Sequence, residues 1–253
     1  MTSTEKPPPE TVNKRAIVIV VAAVALVAAF VTTGGVDEVL RRLGRMTGAD
    51  VEIALKQVEE LPLVRLVIKE NPSVDVEFRK AIEAEREHPT TSGPTRMFLV
   101  GAEVRKRYIV PALGNADDQH ALAAVKLLQE LTLHLQKTSP DTCFEFGKIG
   151  LQRPDKLDEA GRAIFKRALA AQEDAYLNGK AAKDKRPLPS QLDVTRALTE
   201  AGYTPDDFRK LSGFAALSET DGCAATVKLY SAPAQLPAEH GAPVARYLLT
   251  VAP

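Results

Sequence analysis

The residues with the greatest chemical potential in this chain are its two cysteines, Cys143 and Cys223. Cys143 lies in the stretch SPDTCFEFG, where Ser139 followed by Pro140 is typical of the start of a helix. A thiol in the first turn of a helix experiences the positive end of the helix dipole, which favours the thiolate. Cys143 is therefore either a reactive thiol or one half of a structural disulfide.

The compartment of the protein decides between these two interpretations. A nucleophilic cysteine needs a base, and no histidine is close to Cys143 in sequence, although the fold could bring one in. In an oxidising compartment, two cysteines of one domain most simply form one disulfide. A Cys143–Cys223 bond would close a loop of about 80 residues and stabilise the fold by ~4–4.5 kcal/mol in the chain-entropy model. We expect this bond if the body is exported, and the preference fails if it is cytosolic.

Two histidines and a glutamate lie on one predicted helix. His120 and His134 are ~21 Å apart along the helix axis, too far to bind one metal ion. Glu130 and His134 form an i,i+4 pair that could supply two ligands, but no further ligand is signalled. We therefore favour a histidine at the edge of a helix interface, paired with a carboxylate, and expect no metal.

The sequence lacks the common catalytic, metal-binding and cofactor-binding motifs in which residues recur at a fixed spacing. It contains no G-x-G-x-x-G, G-x-S-x-G, H-E-x-x-H or C-x-x-C motif, so no cofactor is expected. Scattered acids such as Glu103 and Glu145 are the only candidates for a hydrolytic site, and nothing beyond their helical context selects them.

A basic loop follows the predicted helix that contains Tyr176. Within the stretch KAAKDKR its basic members are Lys180, Lys183, Lys185 and Arg186. These residues could contact anionic lipid or an acidic partner. The favoured interpretation is a solvated loop, because the stretch is short and has no aromatic residue for stacking.

The overall charge argues against a nucleic-acid partner. Lys+Arg and Asp+Glu both number 33, which gives a net charge of zero. No basic field extends over the whole domain, as binding to a phosphate backbone would require.

An uncharged run, AIVIVVAAVALVAAFVTT, occupies residues 16–33. At ~1.5 Å per residue it would span ~27 Å, close to a thin hydrocarbon core. An uncleaved signal anchor, a cleaved signal peptide and a buried core helix are the competing interpretations. The interpretation as a buried core helix is weak, because a helix that is apolar all round needs packed neighbours on every side. We favour the anchor, since the run exceeds the ~7–15 apolar residues of a typical signal peptide.

The orientation of this anchor rests on its flanks. Three basic residues lie on each side of the run, so the positive-inside rule does not decide. Lys14 and Arg15 directly before the run resemble the start of an export signal, which favours the head inside and the body outside. Taking the cell to be Gram-negative, we expect a single-pass protein of the bacterial inner membrane whose C-terminal domain lies in the periplasm.

The rest of the chain reads as a succession of helices with clear start and stop signals. The clearest is capped by Asn115 and buries Leu127, Leu128, Leu131 and Leu135. Strand-like alternation is almost absent. The other predicted helices are 50–60, Pro62 to before Pro72, Ser73 to Pro89, Pro94 to about Val110, Ser139 onward, 153–178 stopped by Gly179, Ser190 to Gly202, Thr204 to Leu211, 222–233 and 242–253. Ser73 and Ser139 are predicted N-caps, and Ser190 with Asp193 and Thr204 with Asp207 predict capping boxes.

The sequence thus predicts an all-α protein, with one transmembrane helix followed by a multi-helix globular bundle. Its predicted parts are a disordered head (1–15), the anchor (16–33), a juxtamembrane linker (34–49) and an extracytoplasmic domain (50–253), with a possible internal boundary at 179–189.

Two function classes follow from this organisation. The first is a non-enzymatic interaction or scaffold module, held to the lipid bilayer by residues 16–33 and bound to another envelope protein. The second is an envelope hydrolase that uses scattered Glu or Asp residues. A shallow groove would favour the binder, whereas a deep pocket with convergent carboxylates would favour the enzyme.

Overall fold

A computed structural model describes residues 62–88, 96–151 and 156–251, apart from the side chains of Met97 and Phe98. The predicted head, anchor, linker and first helix (50–60) lie outside these ranges. Within them the regular structure is entirely helical, which confirms the all-α prediction. No helix in the described ranges combines the length and the apolar character needed to cross a bilayer.

The helices of the described ranges follow one another with short connections. A π-helical turn, Arg105–Ile109, joins α3 to α4, and short 3₁₀ turns lie at Phe214–Ala216 and Ala232–Gln235. The helices are α1 (Pro62–Glu70), α2 (Ser73–Glu87), α3 (Arg96–Val104), α4 (Val110–Asn115), α5 (Asp118–Thr138), α6 (Pro140–Ile149), α7 (Glu159–Ala181), α8 (Gln191–Glu200), α9 (Pro205–Ser212), α10 (Glu219–Ser231) and α11 (Ala238–Val251).

Helix α5 is the centre of the bundle and packs against α6, α7, α10 and α11. Leu128, Leu131 and Leu135 are buried on it as the leucine spacing predicts, whereas Leu127 is only partly buried. Smaller residues such as Ala121 and Ala124 complete the buried face and are fully inaccessible. Because alanines bring neighbouring helices close, one central helix can contact four others.

The two cysteines are joined in a disulfide between α6 and α10, as predicted for an exported body. Their Cα atoms are 5.1 Å apart across a sequence separation of 80 residues. Both residues are buried, at 0% and 1% exposure. The bond therefore ties the C-terminal part of the chain to the middle of the bundle from inside the core.

The predicted stop at Gly179 is wrong, because α7 continues to Ala181. Gly179 lies inside the helix, where α7 crosses α4. A Cβ at this position would lie 1.9 Å from the carbonyl oxygen of Ala112 and 2.6 Å from the amide nitrogen of Ala116. The glycine therefore permits a close approach of two backbones instead of ending a helix.

The predicted end near Val110 is also wrong, since the helical path continues to Asn115. The path widens into the π turn just before Pro111, and the Val110 N–H donates to the carbonyl of Arg105, five residues back. A proline in a regular helix clashes with the carbonyl four residues earlier, here that of Arg107. A π turn relieves such a clash, which explains how the helix passes the proline.

Three predicted helix starts differ from the structure in their capping. The cap of α5 is Asp117, whose carboxylate accepts the His120 N–H, while Asn115 is the last residue of α4. Ser73 is already helical, and Pro72 precedes it without a side-chain bond. Ser139 does precede α6, but its hydroxyl donates to the Asp141 carboxylate and makes no bond to the helix backbone.

Two capping boxes are confirmed in full. The side chain of Ser190 accepts the Asp193 N–H at the start of α8, and Asp193 accepts the Ser190 N–H in return. Thr204 and Asp207 make the same reciprocal pair at the start of α9. The helices predicted over the last two segments are present as α10 and α11.

The loop between α7 and α8 does not interrupt the hydrophobic core. Tyr176 before the loop and Val194 after it belong to one cluster of buried residues. The boundary at 179–189 stays a prediction, and the flanking segments share a core.

Candidate functional site

A small cleft between α9 and α10 is the best candidate for a binding site in the described ranges. Its volume is about 100 Å³. Such a volume is well below the ~300–1,000 Å³ of pockets that enclose whole small-molecule ligands. The lining residues are Tyr203, Asp207, Lys210, Leu211, Asp221, Ala224, Ala225 and Lys228.

A tight connection between α8 and α9 positions the first wall of the cleft. Gly202 adopts a positive φ of 84° after the last turn of α8, where a side chain would be strained. The Tyr203 N–H then donates to the carbonyl of Leu198 and the Gly202 N–H to that of Thr199, the pattern of a Schellman motif. This turn folds Tyr203 back onto the bundle, and the capping box that follows fixes Asp207.

Lys228 of α10 forms the second wall and holds the two helices together. Its Nζ lies 2.7 Å from Oδ2 of Asp207 and 3.3 Å from the carbonyl oxygen of Gly202. The same nitrogen stands 4.8 Å from the centroid of the Tyr203 ring, within the range of a cation–π contact. One ammonium group thus satisfies a carboxylate, a helix-terminal carbonyl and an aromatic face.

The pKa values of Asp207 and Tyr203, two titratable groups of the wall, lie far from 7. The hydrogen bond from Lys228, followed by those from Thr204, lowers the pKa of Asp207 to about 2. Burial raises the pKa of the Tyr203 phenol well above its usual value, and the nearby Asp207 carboxylate adds to this rise. A general acid or base works best with a pKa near the operating pH. This wall is therefore suited to binding and poorly suited to proton transfer.

The remaining wall combines a small apolar surface with charges at its edge. Ala224 and Ala225 of α10 face Leu211 of α9 across the cleft. Lys210 and Asp221 contribute one charge of each sign. Together with the Lys228–Asp207 pair, the formal charge of the lining is zero. Such a cleft can accept one short aliphatic side chain from a partner.

Sequence reasoning identified Asp207 only as part of a capping box and missed Lys228 and Tyr203. Lys228 lies 21 residues beyond Asp207 and reaches it only because α10 packs against α9. No local pattern signals such a contact. A lysine following an alanine-rich helix turn is common on exposed surfaces, so the sequence offered no reason to select it.

Glu130 and His134, the polar pair predicted on α5, bind different partners in the structure. The His134 Nε2 lies 2.8 Å from Oδ1 of Asp158, while Glu130 accepts a hydrogen bond from Arg167. Asp158 also caps α7 by accepting the Gly161 N–H. The histidine thus lies at a helix interface beside a carboxylate, but the carboxylate is Asp158. In the described ranges no group of three or more His, Cys, Asp or Glu residues is placed to hold a metal ion.

The four residues of the predicted basic loop have different positions. Lys180 belongs to the last turn of α7 and forms an ion pair with Glu70 of α1. The Arg186 side chain donates to the carbonyl of Asn115 at 2.8 Å, and its backbone N–H donates to the Asn115 side chain at 3.0 Å. Lys183 and Lys185 lie on the loop and are exposed.

The two acids considered for a hydrolase lie outside the cleft. Glu103 is on α3 and pairs with Arg107 at 3.6 Å, one turn away on the helical path. Glu145 lies on α6 and is half-buried. Neither residue lines the cleft.

Comparison with known proteins adds no assignment to this geometry. No family model matches the chain, and the searches of curated proteins and of solved structures found no match.

Proposed function

We propose that this chain is a membrane-anchored, extracytoplasmic helical module that binds another protein of the bacterial envelope. The observation that carries the proposal is the buried disulfide between Cys143 and Cys223. Disulfides persist in oxidising compartments such as the periplasm and are rare in the cytosol. The apolar run at 16–33 supplies the anchor, with the body outside the inner membrane.

The cleft between α9 and α10 supports binding as the role of the body. Its volume of about 100 Å³ suits one side chain of a partner better than a whole substrate. The low pKa of Asp207 and the raised pKa of Tyr203 keep both groups in one protonation state near neutral pH. The Lys228 bridge keeps the wall rigid before binding, which lowers the ordering cost of association.

Photo-crosslinking in intact cells tests the binding role. A photo-reactive amino acid replaces Ala224, which is exposed on the wall of the cleft, and a matched control replaces Lys166, which is exposed on α7. We expect an adduct from position 224 that mass spectrometry identifies as one envelope protein, and that Ala225→Leu abolishes by filling the cleft from its half-buried wall. Equal yields from positions 224 and 166 would contradict a binding role for this cleft.

Protease access tests the compartment separately. When protease is added to spheroplasts of cells that express the full chain, we expect the body to be digested while a cytoplasmic control protein stays intact. A body that survives in spheroplasts and is digested only after lysis would contradict the proposed orientation.

A further inference from the structure

We propose that the loop after α7 is a second membrane contact, which docks the body onto an anionic phospholipid surface. The contact, called here the loop surface, consists of Lys183, Lys185, Arg186, Leu188 and Leu192. This inference rests on the proposed function, because it takes residues 16–33 to hold the chain at a bilayer.

Two leucines of the loop surface expose large apolar side chains, which a loop that contacts only water gives no reason for. Leu188 is 43% exposed and Leu192 is 64% exposed, the largest exposure among the large hydrophobic residues of the described ranges. The side chain of Leu188 lies over Gly114 of α4, so the bundle supports it from behind. Apolar side chains presented in this way can enter the boundary between headgroups and acyl chains.

The charges of the same segment complement an anionic surface. Between residues 183 and 186 the chain carries three basic residues and one acidic residue, Asp184, a formal charge of 3 − 1 = +2. All four residues are exposed. Basic residues beside exposed leucines form the pattern by which peripheral segments recognise anionic lipid. An acidic protein partner would need the cations but would give no reason for the exposed leucines that follow them.

The bundle holds both ends of the loop surface, so the loop is presented in a defined place. Arg186 is fixed to Asn115 by its backbone N–H and by its side chain. The capping box between Ser190 and Asp193 fixes the start of α8, just before Leu192. A contact presented by a rigid scaffold loses less conformational entropy on docking than a free loop.

The anchor side of the body lies close to the loop surface. Lys180, three residues before Lys183, forms an ion pair with Glu70 at the end of α1. Since α1 rises ~1.5 Å per residue, Pro62 lies ~12 Å along the axis from Glu70. The 28 residues from 34 to 61 can reach no farther than about 100 Å even when fully extended. A loop surface tethered at this range has an effective concentration in the millimolar range, so a weak contact is enough.

The test uses the full chain in vesicles and a fluorophore on one added thiol. Both native cysteines are in the disulfide, so Leu192→Cys supplies the one free thiol for labelling. Leu133→Cys is the matched control, since Leu133 is an exposed leucine of α5. Its neighbour His134 contacts Asp158 at the start of α7, and the 23 residues of α7 separate that end from the loop surface by ~33 Å. Brominated lipids then quench only a fluorophore that contacts the bilayer.

We expect a label at position 192 to be quenched at least threefold more strongly than one at position 133 in vesicles of 70% phosphatidylcholine and 30% phosphatidylglycerol. The ratio of docked to undocked loops should fall about fivefold for each lysine neutralised, as in Lys183→Gln with Lys185→Gln. High salt should lower the ratio as well. Equal quenching at 192 and 133, or quenching at 192 that is unchanged by both lysine substitutions, would overturn the proposal. Absence of quenching at 192 would overturn it as well.

Flotation with pure phosphatidylcholine vesicles separates this inference from the proposed anchor. A chain that floats with neutral vesicles and shows no quenching at 192 retains its anchor and contradicts only the loop contact. A chain that fails to float with neutral vesicles contradicts the anchor. If that chain is still quenched at 192 on anionic vesicles, the loop contact is supported on its own.

Discussion

Reduction of the Cys143–Cys223 bond should remove a large part of the stability of the fold. The bond closes a loop of 80 residues. In the chain-entropy model a loop of this length restricts the unfolded chain by about 15 cal/mol/K, which is ~4.5 kcal/mol at 25 °C. Single domains are stable by only ~5–15 kcal/mol in total. The reduced protein should therefore be marginal, although its helices and its core residues are unchanged.

Urea unfolding of the oxidised and the reduced protein measures this difference. The reduced sample is unfolded and refolded in reductant, because both sulfurs are buried and a folded protein shields them. With a urea dependence of ~2 kcal/mol per molar, we expect the midpoint to fall by about 2 M. The urea dependence itself should rise, because the unfolded chain without the cross-link exposes more surface.

A mass measurement accompanies the unfolding experiment as its control. Alkylation of the protein unfolded in urea without reductant should leave its mass unchanged, because Cys143 and Cys223 are joined and carry no free thiol. Two alkylated thiols in the unfolded but unreduced protein, or a midpoint shift below ~0.5 M urea, would refute the reasoning. The first outcome would also remove the main support for an extracytoplasmic body.

Three further predictions concern the packing and electrostatics of the bundle. Gly179→Ala should destabilise by ~1–3 kcal/mol in thermal unfolding, because its Cβ would meet backbone atoms at 1.9 Å, whereas Gly213→Ala, with its nearest contact at 3.5 Å, should be close to neutral. Asp118→Asn should cost ~1–3 kcal/mol of unfolding free energy in urea, because it leaves the guanidinium of Arg246, 8% exposed, without its carboxylate. Since the folded-state pKa of Asp207 is lowered to about 2, its stabilising contribution is present above pH ~4 and lost as the pH falls toward 2; Asp207→Asn should flatten the melting temperature across that window.

The helix starts show what local sequence can predict. Ser190 with Asp193 and Thr204 with Asp207 form complete capping boxes, because each bond joins groups three residues apart. Nothing distant has to be known for such a bond to form. The predicted cap at Asn115 is wrong because Asp117 is a second good cap within two residues. Which of the two residues caps α5 depends on where α4 ends, and local sequence does not fix that end.

The interiors of the helices depend on partners that the sequence does not name. The sequence predicts a stop at Gly179 because glycine is common after a helix, yet Gly179 lies where α7 crosses α4. It predicts an end near Val110, yet the π turn there lets the helix continue past Pro111. In both cases contacts or geometry outside the local pattern override propensity, which is a weak guide by itself.

The cleft could not be predicted for a related reason. Its wall depends on Lys228 reaching Asp207 and the ring of Tyr203 from another helix. The sequence contains each residue in an ordinary setting, and only the packing of α10 on α9 brings them together. The leucine stripe of α5 was predictable because its spacing alone selects the buried face.

The disulfide and the predicted anchor lie in separate parts of the chain. The export hypothesis rests on residues 16–33 and the basic pair before them, all of which lie outside the described residues. The bundle brings Cys143 and Cys223 to a Cα separation of 5.1 Å, within the 4.4–6.8 Å that a disulfide requires. Two cysteines 80 residues apart on different helices would seldom meet this condition by chance, and a cytosolic protein would gain no stable bond from it. The bundle therefore places the two cysteines where a disulfide can form, and the compartment itself stays a proposal for the protease-access experiment to test.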